Sequence, residues 1–170
     1  MPKLIITSDI HGNYNAWLAV KALMNNGDAL AVAGDLFDTR YGSTSNPAFD
    51  PEGIRTDLND FPHPFYYVYG NCDTASFFPG YSDRLAFSYS GKQFCMGHGH
   101  RPFSCDKPAD IVIQGHTHSA VLEEKDGVIR INPGSIPAPR KGRHTYGLFN
   151  GSKICLIEFS SGKELVSINI

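Results

Sequence analysis

The stretch Leu4-Ile5-Ile6-Thr7-Ser8-Asp9-Ile10-His11-Gly12-Asn13 contains the strongest local indication of the fold, because a short apolar run changes at once into a polar cluster. A run of this length that ends in turn-forming residues is typical of a buried β-strand followed by a loop. Residues Ala16 to Met24 then place apolar side chains near helical spacing, and Asn25-Asn26-Gly27 is a typical helix end. The segment predicts a strand, a polar loop and a helix.

Polar clusters follow four further runs of strand length. They are Gly34-Asp35, Gly70-Asn71-Cys72-Asp73, Gly97-His98-Gly99-His100 and Gly115-His116-Thr117-His118. In open α/β sheets, ligands bind beyond the carboxyl ends of the strands, so we expect the five clusters to converge. Gly53 to Phe61 is compatible with a second short helix, and Tyr41 to Pro51 with a surface loop.

The C-terminal part of the chain has a different pattern, with short strand-like runs separated by two-residue turns. These turns are Asp126-Gly127, Asn150-Gly151 and Ser161-Gly162. They predict hairpins that together form a β-meander. The simplest organisation is one α/β domain over residues 1–170 with a mixed sheet system.

Composition and charge exclude several classes of protein. A chain of 170 residues can bury about 70% of its unfolded surface in one core. Hydrophobic residues make up 41% and charged residues 19%, which is typical of a folded globular protein. The net charge of -2 gives no general attraction to a polyanion, so long nucleic acid is not an expected partner.

Cysteine usage and hydropathy bear on location. Cys72, Cys95, Cys105 and Cys155 stand far apart without a Cys-x-x-Cys pair, so the sequence suggests neither a zinc knuckle nor a disulfide framework. The N-terminal apolar run is too short for a signal peptide, and no stretch approaches the roughly twenty apolar residues that span a bilayer. We therefore expect a protein of the reducing cytoplasm with no membrane partner.

Each polar cluster also has a purely structural explanation. Asp9 with His11 could form a turn and a helix cap, Asp35 could be a second cap, and Asn71 could supply a turn conformation. Histidines of the two His-x-His pairs could be exposed or hydrogen-bonded. All five clusters together at strand ends favour a metal site, and ligands of the Asp, His and Asn types suit manganese, iron, zinc or similar divalent ions.

The order D-x-H, G-D, G-N-x-[DE], G-H and G-H-x-H resembles the calcineurin-like metallophosphoesterases. It occurs at Asp9/His11, Gly34/Asp35, Gly70/Asn71/Asp73, Gly97/His98 and Gly115/His116/His118. The small size, the Gly-His-Gly-His form and Asn132-Pro133-Gly134-Ser135 are similar to the compact bacterial and archaeal phosphodiesterase subgroup. The resemblance covers the chain from residue 4 to about residue 140.

This resemblance implies an α/β/β/α sandwich of two mixed β-sheets flanked by helices, the metallo-dependent phosphatase fold. It implies two divalent metal ions, with manganese favoured over iron, zinc, nickel and cobalt. One ion would be held by Asp9, His11 and His118, the other by Asn71, His98 and His116, and Asp35 would bridge both. Two ions about 3.5 to 4 Å apart can activate a hydroxide and stabilise an in-line displacement at phosphorus.

One position departs from larger family members. Many of them have a histidine after the asparagine, thought to protonate the leaving group, whereas this chain has Cys72. Two nearby cations would lower the pKa of the thiol, and a thiolate cannot donate a proton. Cleavage should then favour esters with acidic leaving groups. Cys72 could instead be a small filler residue, and His100 could act as the acid, contact substrate or lie solvated in a loop.

Three functions fit these observations. The first is a phosphodiesterase acting on small phosphodiesters, and the second is a phosphomonoesterase that uses the same metals. The third is a non-catalytic scaffold protein, because a retromer subunit resembles this compact fold. The intact set of seven ligand positions favours an enzyme. The sequence leaves the oligomeric state open.

Overall fold

The structure is a computed structural model and describes residues 2–170. It contains two α-helices and eleven β-strands within that range. The helices are α1 (Tyr14–Ala22) and α2 (Pro51–Asn59). The strands are β1 (Leu4–Thr7), β2 (Ala29–Val32), β3 (Phe65–Tyr67), β4 (Arg84–Tyr89), β5 (Lys92–Gly97), β6 (Ile111–Ile113), β7 (Val121–Lys125), β8 (Val128–Asn132), β9 (Thr145–Phe149), β10 (Lys153–Glu158) and β11 (Glu164–Asn169).

The strands form two mixed sheets. The first has the order β11-β10-β9-β1-β2-β3, and the second has the order β4-β5-β6-β8-β7. Strands β1, β2 and β3 are parallel to one another, as are β5, β6 and β8. Antiparallel strands complete each sheet: β9 pairs with β1 in the first sheet, and β4 and β7 pair with β5 and β8 in the second. The expectation of an α/β sandwich with two mixed sheets is confirmed.

The core lies in two layers because the central strands are apolar on both faces. Leu4 and Ile6 of β1 pack between the two sheets, together with Phe94, Ile113 and other residues of the second sheet. Ile5 points the other way, into a second cluster that contains Trp17 of α1 and Ile54 of α2. Because successive side chains of β1 and β2 point to opposite faces and both faces are buried, these strands are almost continuous apolar runs.

Both helices pack on the outer face of the first sheet, and each begins earlier than the sequence predicted. The side chain of Asn13 accepts a hydrogen bond from the backbone N–H of Ala16 and caps α1. Asp50 caps α2 in the same way, with Pro51 in the first turn. These caps and the fixed φ of proline set the start of each helix, which periodicity alone places two residues too late.

The three predicted C-terminal turns are present, but one continuous meander is wrong. Asp126-Gly127 joins β7 to β8, whereas the other two turns join β9, β10 and β11. The first hairpin belongs to the second sheet and the remaining strands belong to the first. The chain crosses between the sheets after Asn132, where Pro133 interrupts the ladder.

The expectation that no disulfide forms is also wrong, because Cys95 and Cys105 are paired. Cys95 lies in β5, and the segment from Gly99 to Asp110 folds back over the outer face of the second sheet. Phe103 of that segment packs on Gly97. A separation of ten residues carries no recognisable spacing signal, so the pairing depends on how the segment folds. Cys72 and Cys155 are free and buried.

Within residues 2–170, no helix combines the length and the apolar character that crossing a membrane requires.

Candidate metal centre

The carboxyl ends of strands from both sheets bring the polar clusters together. The first sheet contributes the residues that follow β1, β2 and β3, which are Asp9, His11, Asp35 and Asn71. The second sheet contributes those that follow β5 and β6, which are His98, His116 and His118. Three groups place one potential ligand atom per residue within 4.8 Å of one another: Asp9, His11 and His118; Asp35, His98 and His116; and His11, Asp38 and Cys72. The first two contain six of the seven predicted ligands.

The backbone of this site is held in an uncommon conformation. Eight residues other than glycine have positive φ in residues 2–170, and six of them lie at the site: Asp9, His11, Asp35, Asp38, His116 and His118. A left-handed conformation costs such residues about 1–3 kcal/mol each, and it concentrates at functional sites. The other two are in hairpin turns, where this conformation is ordinary. The strained residues therefore mark the site independently of residue type.

The first group is arranged around one oxygen of Asp9. Its Oδ1 atom lies 3.3 Å from Nε2 of His118 and 3.8 Å from Nε2 of His11. The other oxygen, Oδ2, accepts hydrogen bonds from the Ser8 hydroxyl and from the backbone N–H of His116. Because Oδ2 is satisfied by these donors, Oδ1 is the atom left to bind a ligand.

The second group is arranged around Asp35. Its Oδ1 atom accepts a hydrogen bond of 2.8 Å from the backbone N–H of Cys72. Its Oδ2 atom lies 3.1 Å from Nε2 of His98 and 3.8 Å from Nε2 of His11. Asp35 therefore faces a histidine of each group.

Three imidazoles at the site are fixed in the same tautomer. His98 donates from Nδ1 to the carbonyl oxygen of Ala33 at 2.8 Å, and His118 donates from Nδ1 to that of Ala138 at 2.7 Å. The Nδ1 atom of His11 lies 2.9 Å from Oδ2 of Asp38, an acceptor. When neutral, each ring then presents the lone pair of Nε2 to the site.

These lone pairs converge on one another and on carboxylate oxygens. The Nε2 atoms of His11 and His118 are only 3.2 Å apart, and both lie close to Oδ1 of Asp9. Within residues 2–170, three buried atoms of the site have no hydrogen-bond partner: Asp9 Oδ1, Asn71 Oδ1 and His98 Nε2. Buried acceptors that face one another are stabilised when a proton or a metal cation lies between them. The set of donors therefore fits a divalent metal ion at each group.

The pKa values show the same demand for positive charge. Burial by itself would raise the pKa of Asp9, but hydrogen bonds from His11 and His118 and the charge of His98 hold it well below its ordinary range. Burial opposes protonation of His11, yet Asp38 and Asp9 raise its pKa to about 10. The pKa of His98 is raised by Asp35 against the effect of burial. These shifts all reflect a site whose carboxylates favour positive charge on the neighbouring histidines.

Glycines allow the clusters to approach closely. A Cβ atom on Gly70 would lie 2.0 Å from Oδ1 of Asp35, and one on Gly115 would lie 1.8 Å from the Ser8 hydroxyl oxygen. Neither position tolerates a side chain without displacing a site residue. The glycines of the sequence pattern are therefore required by space as well as by turn geometry.

Asp38, Asp73 and Ser135 support the site. The Asp38 contact with Nδ1 of His11 fixes that ring, as expected of a residue that orients a ligand without binding the metal. Asp73 accepts hydrogen bonds from the backbone N–H groups of Phe37 and Gly70, which hold the loops after β2 and β3 together. Ser135 donates to the carbonyl oxygen of Asp9. Asp73 and Ser135 occur in the sequence motifs, but their roles required the fold.

Cys72 and His100 border the site. The Sγ atom of Cys72 accepts a hydrogen bond of 3.2 Å from the side-chain amide of Asn71, an orientation that leaves Asn71 Oδ1 free. In the metal-free protein, burial and the adjacent Asp35 raise the pKa of the thiol far above its ordinary value. The expected thiolate depends on two bound cations and stays a prediction. His100 packs edge-on near His116. His63 and His144 lie elsewhere and bond to backbone carbonyls.

Comparison with known proteins agrees with this geometry. Residues 3–153 match the family described as the calcineurin-like phosphoesterase superfamily domain. The chain is 26% identical to the phosphodiesterase YfcE of Escherichia coli, over 100% of this chain and 99% of that protein. It is 30% identical to a probable metallophosphoesterase of Mycoplasma pneumoniae, over 84% of each chain.

Solved structures share the fold. The structure of E. coli YfcE superposes with a TM-score of 0.84 over 99% of both chains, at 24% identity. Vacuolar Protein Sorting 29 from Cryptosporidium parvum superposes with a TM-score of 0.67 over 99% of this chain and 98% of that one, at 18% identity. At these identities the superpositions establish the architecture and not the chemistry.

Proposed function

Because the chain belongs to the calcineurin-like phosphoesterase superfamily, we propose that it is a metal-dependent phosphodiesterase that hydrolyses small phosphodiesters. One observation carries the proposal. The Nε2 lone pairs of His11 and His118 face each other at 3.2 Å beside Oδ1 of Asp9, an arrangement that a divalent cation resolves. Relatives named as phosphodiesterases and metallophosphoesterases support the same chemistry.

We assign the ligands to two metal ions. Asp9, His11 and His118 would hold the first ion, and Asn71, His98 and His116 would hold the second. Asp35, which faces a histidine of each group, would bind both ions. Manganese is the preferred ion, with iron, zinc, nickel and cobalt as alternatives, because imidazole ligands suit transition metals.

The residues of the chain prepare the site for hydrolysis. When bound, two divalent ions polarise the phosphoryl oxygens and lower the pKa of the attacking water. The Nδ1 hydrogen bonds of His98 and His118 fix the tautomer that presents Nε2 to the site. The carboxylate of Asp35 contacts a histidine of each ligand group, so it would set the distance between the two metal sites. No side chain of the site is needed as a nucleophile.

The test is hydrolysis of bis(p-nitrophenyl) phosphate beside p-nitrophenyl phosphate, with chelator-treated protein before and after addition of manganese. We expect manganese-dependent cleavage of the diester, with much slower cleavage of the monoester. Asp35→Asn should abolish the activity. Asp126→Asn, in the exposed turn between β7 and β8, is the matched control and should retain it.

Two other outcomes would replace the proposal. Faster cleavage of the monoester would identify a phosphomonoesterase. Failure to cleave either ester with any divalent metal would favour a scaffold protein of the same fold. Measuring the bound manganese per chain by atomic emission separates an inactive metal-loaded protein from one that does not bind metal.

We also propose the cytoplasm as the location of the protein. The Cys95–Cys105 pair makes this testable, because reducing thiols would act on it there. Alkylation of free thiols in intact cells, followed by mass measurement, gives the redox state of the pair. A fully oxidised pair would contradict a reducing compartment.

A further inference from the structure

A cavity of about 340 Å³ opens beside the second metal group. It lies at the lower end of the range for small-molecule sites, about 300–1,000 Å³. Its walls include Asn71, a proposed ligand, and His100, which follows the ligand His98 by two residues. The remaining walls include Arg40, Tyr41, Arg101 and Asp83. A substrate whose phosphorus lies at the metals would extend one substituent into this cavity.

The two arginines of the cavity have no internal partner. Within residues 2–170, neither guanidinium lies within 4.0 Å of a carboxylate oxygen, whereas Arg55 pairs with Glu52 and Arg84 pairs with Asp106. Two acidic residues also line the cavity: Asp73 is buried and engaged by backbone N–H groups, and Asp83 is exposed. Because neither carboxylate pairs with the arginines, the two guanidinium groups are available to bind a second anionic group.

Tyr41 adds an aromatic surface to the same cavity. It is 72% exposed, the largest exposure among the large apolar side chains of the described chain. Exposed aromatic rings next to arginines are the combination that binds nucleotides, because the ring stacks on a base and guanidinium pairs with phosphate. In the described part of the chain, the Tyr41 ring stacks on no other ring, and neither arginine forms an ion pair.

The backbone that carries Arg40 and Tyr41 is tied to the metal centre. The N–H of Arg40 donates to the carbonyl oxygen of Cys72 at 3.1 Å, and that of Tyr41 donates to Oδ1 of Asp38 at 3.3 Å. Asp38 also contacts the ligand His11. On the opposite wall, Arg101 lies in the segment that the Cys95–Cys105 disulfide closes. Both walls are anchored to elements that carry proposed metal ligands.

Resting on the function proposed above, we propose that the substrate is a nucleotide phosphodiester with a second phosphate, as in a short oligonucleotide. Tyr41 stacks on the base, and Arg40 and Arg101 bind the phosphate that is not cleaved. The scissile phosphate lies at the metal ions. The net charge of -2 over the whole chain is compatible with a substrate of few phosphates.

The kinetic test uses the p-nitrophenyl ester of thymidine monophosphate, with and without a second phosphate on the sugar. We expect kcat/KM to rise at least tenfold with the second phosphate, because each charge-assisted pair is worth about tenfold. Arg40→Gln and Arg101→Gln should each reduce this gain about tenfold and should affect cleavage of bis(p-nitrophenyl) phosphate, which has no second phosphate, by a much smaller factor. Tyr41→Ala should slow both thymidine esters, and Tyr41→Phe should restore them.

The control is Lys163→Gln, which removes one positive charge in the exposed turn between β10 and β11, far from the cavity. It should change none of these rates. Equal rates with and without the second phosphate in the unaltered protein would overturn the proposal. So would arginine variants that lose cleavage of both classes in parallel, because that result indicates a general effect on the metal centre.

A binding measurement keeps this test independent of turnover. Titration calorimetry with thymidine bisphosphate should give an affinity that falls about tenfold in Arg40→Gln and Arg101→Gln and is unchanged in Lys163→Gln. If bis(p-nitrophenyl) phosphate is not cleaved but this pattern is found, the proposed function fails and the nucleotide site stands. If thymidine bisphosphate binds no better than inorganic phosphate, the nucleotide site is overturned.

Discussion

His11 and Asp38 are joined by a contact of 2.9 Å between Nδ1 of the imidazole and Oδ2 of the carboxylate. The contact fixes the ring so that Nε2 faces Asp9 and His118. We expect Asp38→Ala to lower manganese affinity about 10- to 100-fold, the usual effect of removing a residue that orients a ligand. Asp38→Asn keeps a hydrogen-bond acceptor without the charge, so its manganese affinity should lie between those of the unaltered protein and Asp38→Ala. Calorimetric titration with manganese measures the series, and an unchanged affinity in Asp38→Ala would show that His11 needs no support.

Metal binding should release protons. The pKa of His11 is raised to about 10, so this ring holds a proton at neutral pH in the metal-free protein, and the raised pKa values of His98 and His118 keep their protons bound to a higher pH than usual. A metal ion must displace those protons to reach Nε2. We expect at least one proton per chain to be released, measured from the binding enthalpy of manganese in buffers of different ionisation enthalpy. An enthalpy independent of the buffer would contradict the assignment.

The same pKa shift gives the metal-free protein a pH dependence with a definite sign. The pKa of His11 lies above its ordinary value of 6.5, so its stabilising effect is complete below that pH and is lost as pH rises toward 10. The melting temperature of chelator-treated protein should fall over this interval. His11→Ala should make the melting temperature less dependent on pH over this interval. A melting temperature that rises with pH would be inconsistent with a protonated His11.

Gly70→Ala should disrupt the metal centre. Its added Cβ would lie 2.0 Å from Oδ1 and 2.4 Å from the backbone nitrogen of Asp35, an overlap that must displace the proposed bridging residue. Overpacking of this kind costs about 1–3 kcal/mol, and we expect loss of manganese binding in addition. Gly91→Ala is the control, since its φ of +78° strains the backbone while no atom lies within 4 Å of the new Cβ. Urea unfolding and metal analysis distinguish them: the control should lose stability and keep its metal.

Cleavage should depend strongly on the leaving group. Cys72 follows the proposed ligand Asn71, and two cations bound there would lower the pKa of its thiol and leave a thiolate, which cannot protonate a leaving group. We expect aryl phosphodiesters to be cleaved far faster than alkyl ones, because phenolates leave without protonation. A plot of log kcat against leaving-group pKa should slope steeply downward. Comparable rates for both classes would indicate another acid, with His100 as the first candidate.

The Cys95–Cys105 disulfide should stabilise the protein. Closing a loop over a separation of ten residues is worth about 2–3 kcal/mol in the chain-entropy account. Cys105→Ser should therefore lower the melting temperature, and a reducing agent should lower that of the unaltered protein but not of the variant. Cys155→Ser is the control, because Cys155 is a free, buried thiol of β10. If reduction lowered the melting temperatures of the unaltered protein and of Cys105→Ser equally, the result would argue against the Cys95–Cys105 disulfide.

Local sequence signals predicted the elements that position the site. Strand β1 was placed from Leu4 to Thr7, and the ends of β2, β5 and β6 fell within one residue of those observed. These strands are buried on both faces, so their apolar runs stop where the site begins. Strand β4 was not predicted, because its residues alternate between exposed and half-buried positions at a sheet edge. The division of the hairpins between two sheets is a long-range property that local turn signals do not contain.

The sequence predicted which polar clusters meet at one edge of the sandwich, but not the contacts within them. All seven proposed ligands follow strands that converge at one edge of the sandwich. The contact of Asp38 with His11 was not visible in the sequence, because residues 27 positions apart meet only once both loops are folded. The Cys95–Cys105 pairing escaped prediction because the covering segment has no regular structure to show which way it turns. Tertiary contacts between loops account for most of what local patterns left out.

The division of the proposed ligands between two sheets has a consequence for the order of events during folding. Asp9 and the N–H of His116 are 107 positions apart and meet only when the sheets have docked. A chain that has formed one sheet possesses either Asp9, His11, Asp35 and Asn71 or the three histidines of the other sheet. Neither half contains a complete group of ligands. We therefore expect metal to bind late in folding. The rate of metal binding should report the docking of the two sheets and not the formation of either sheet.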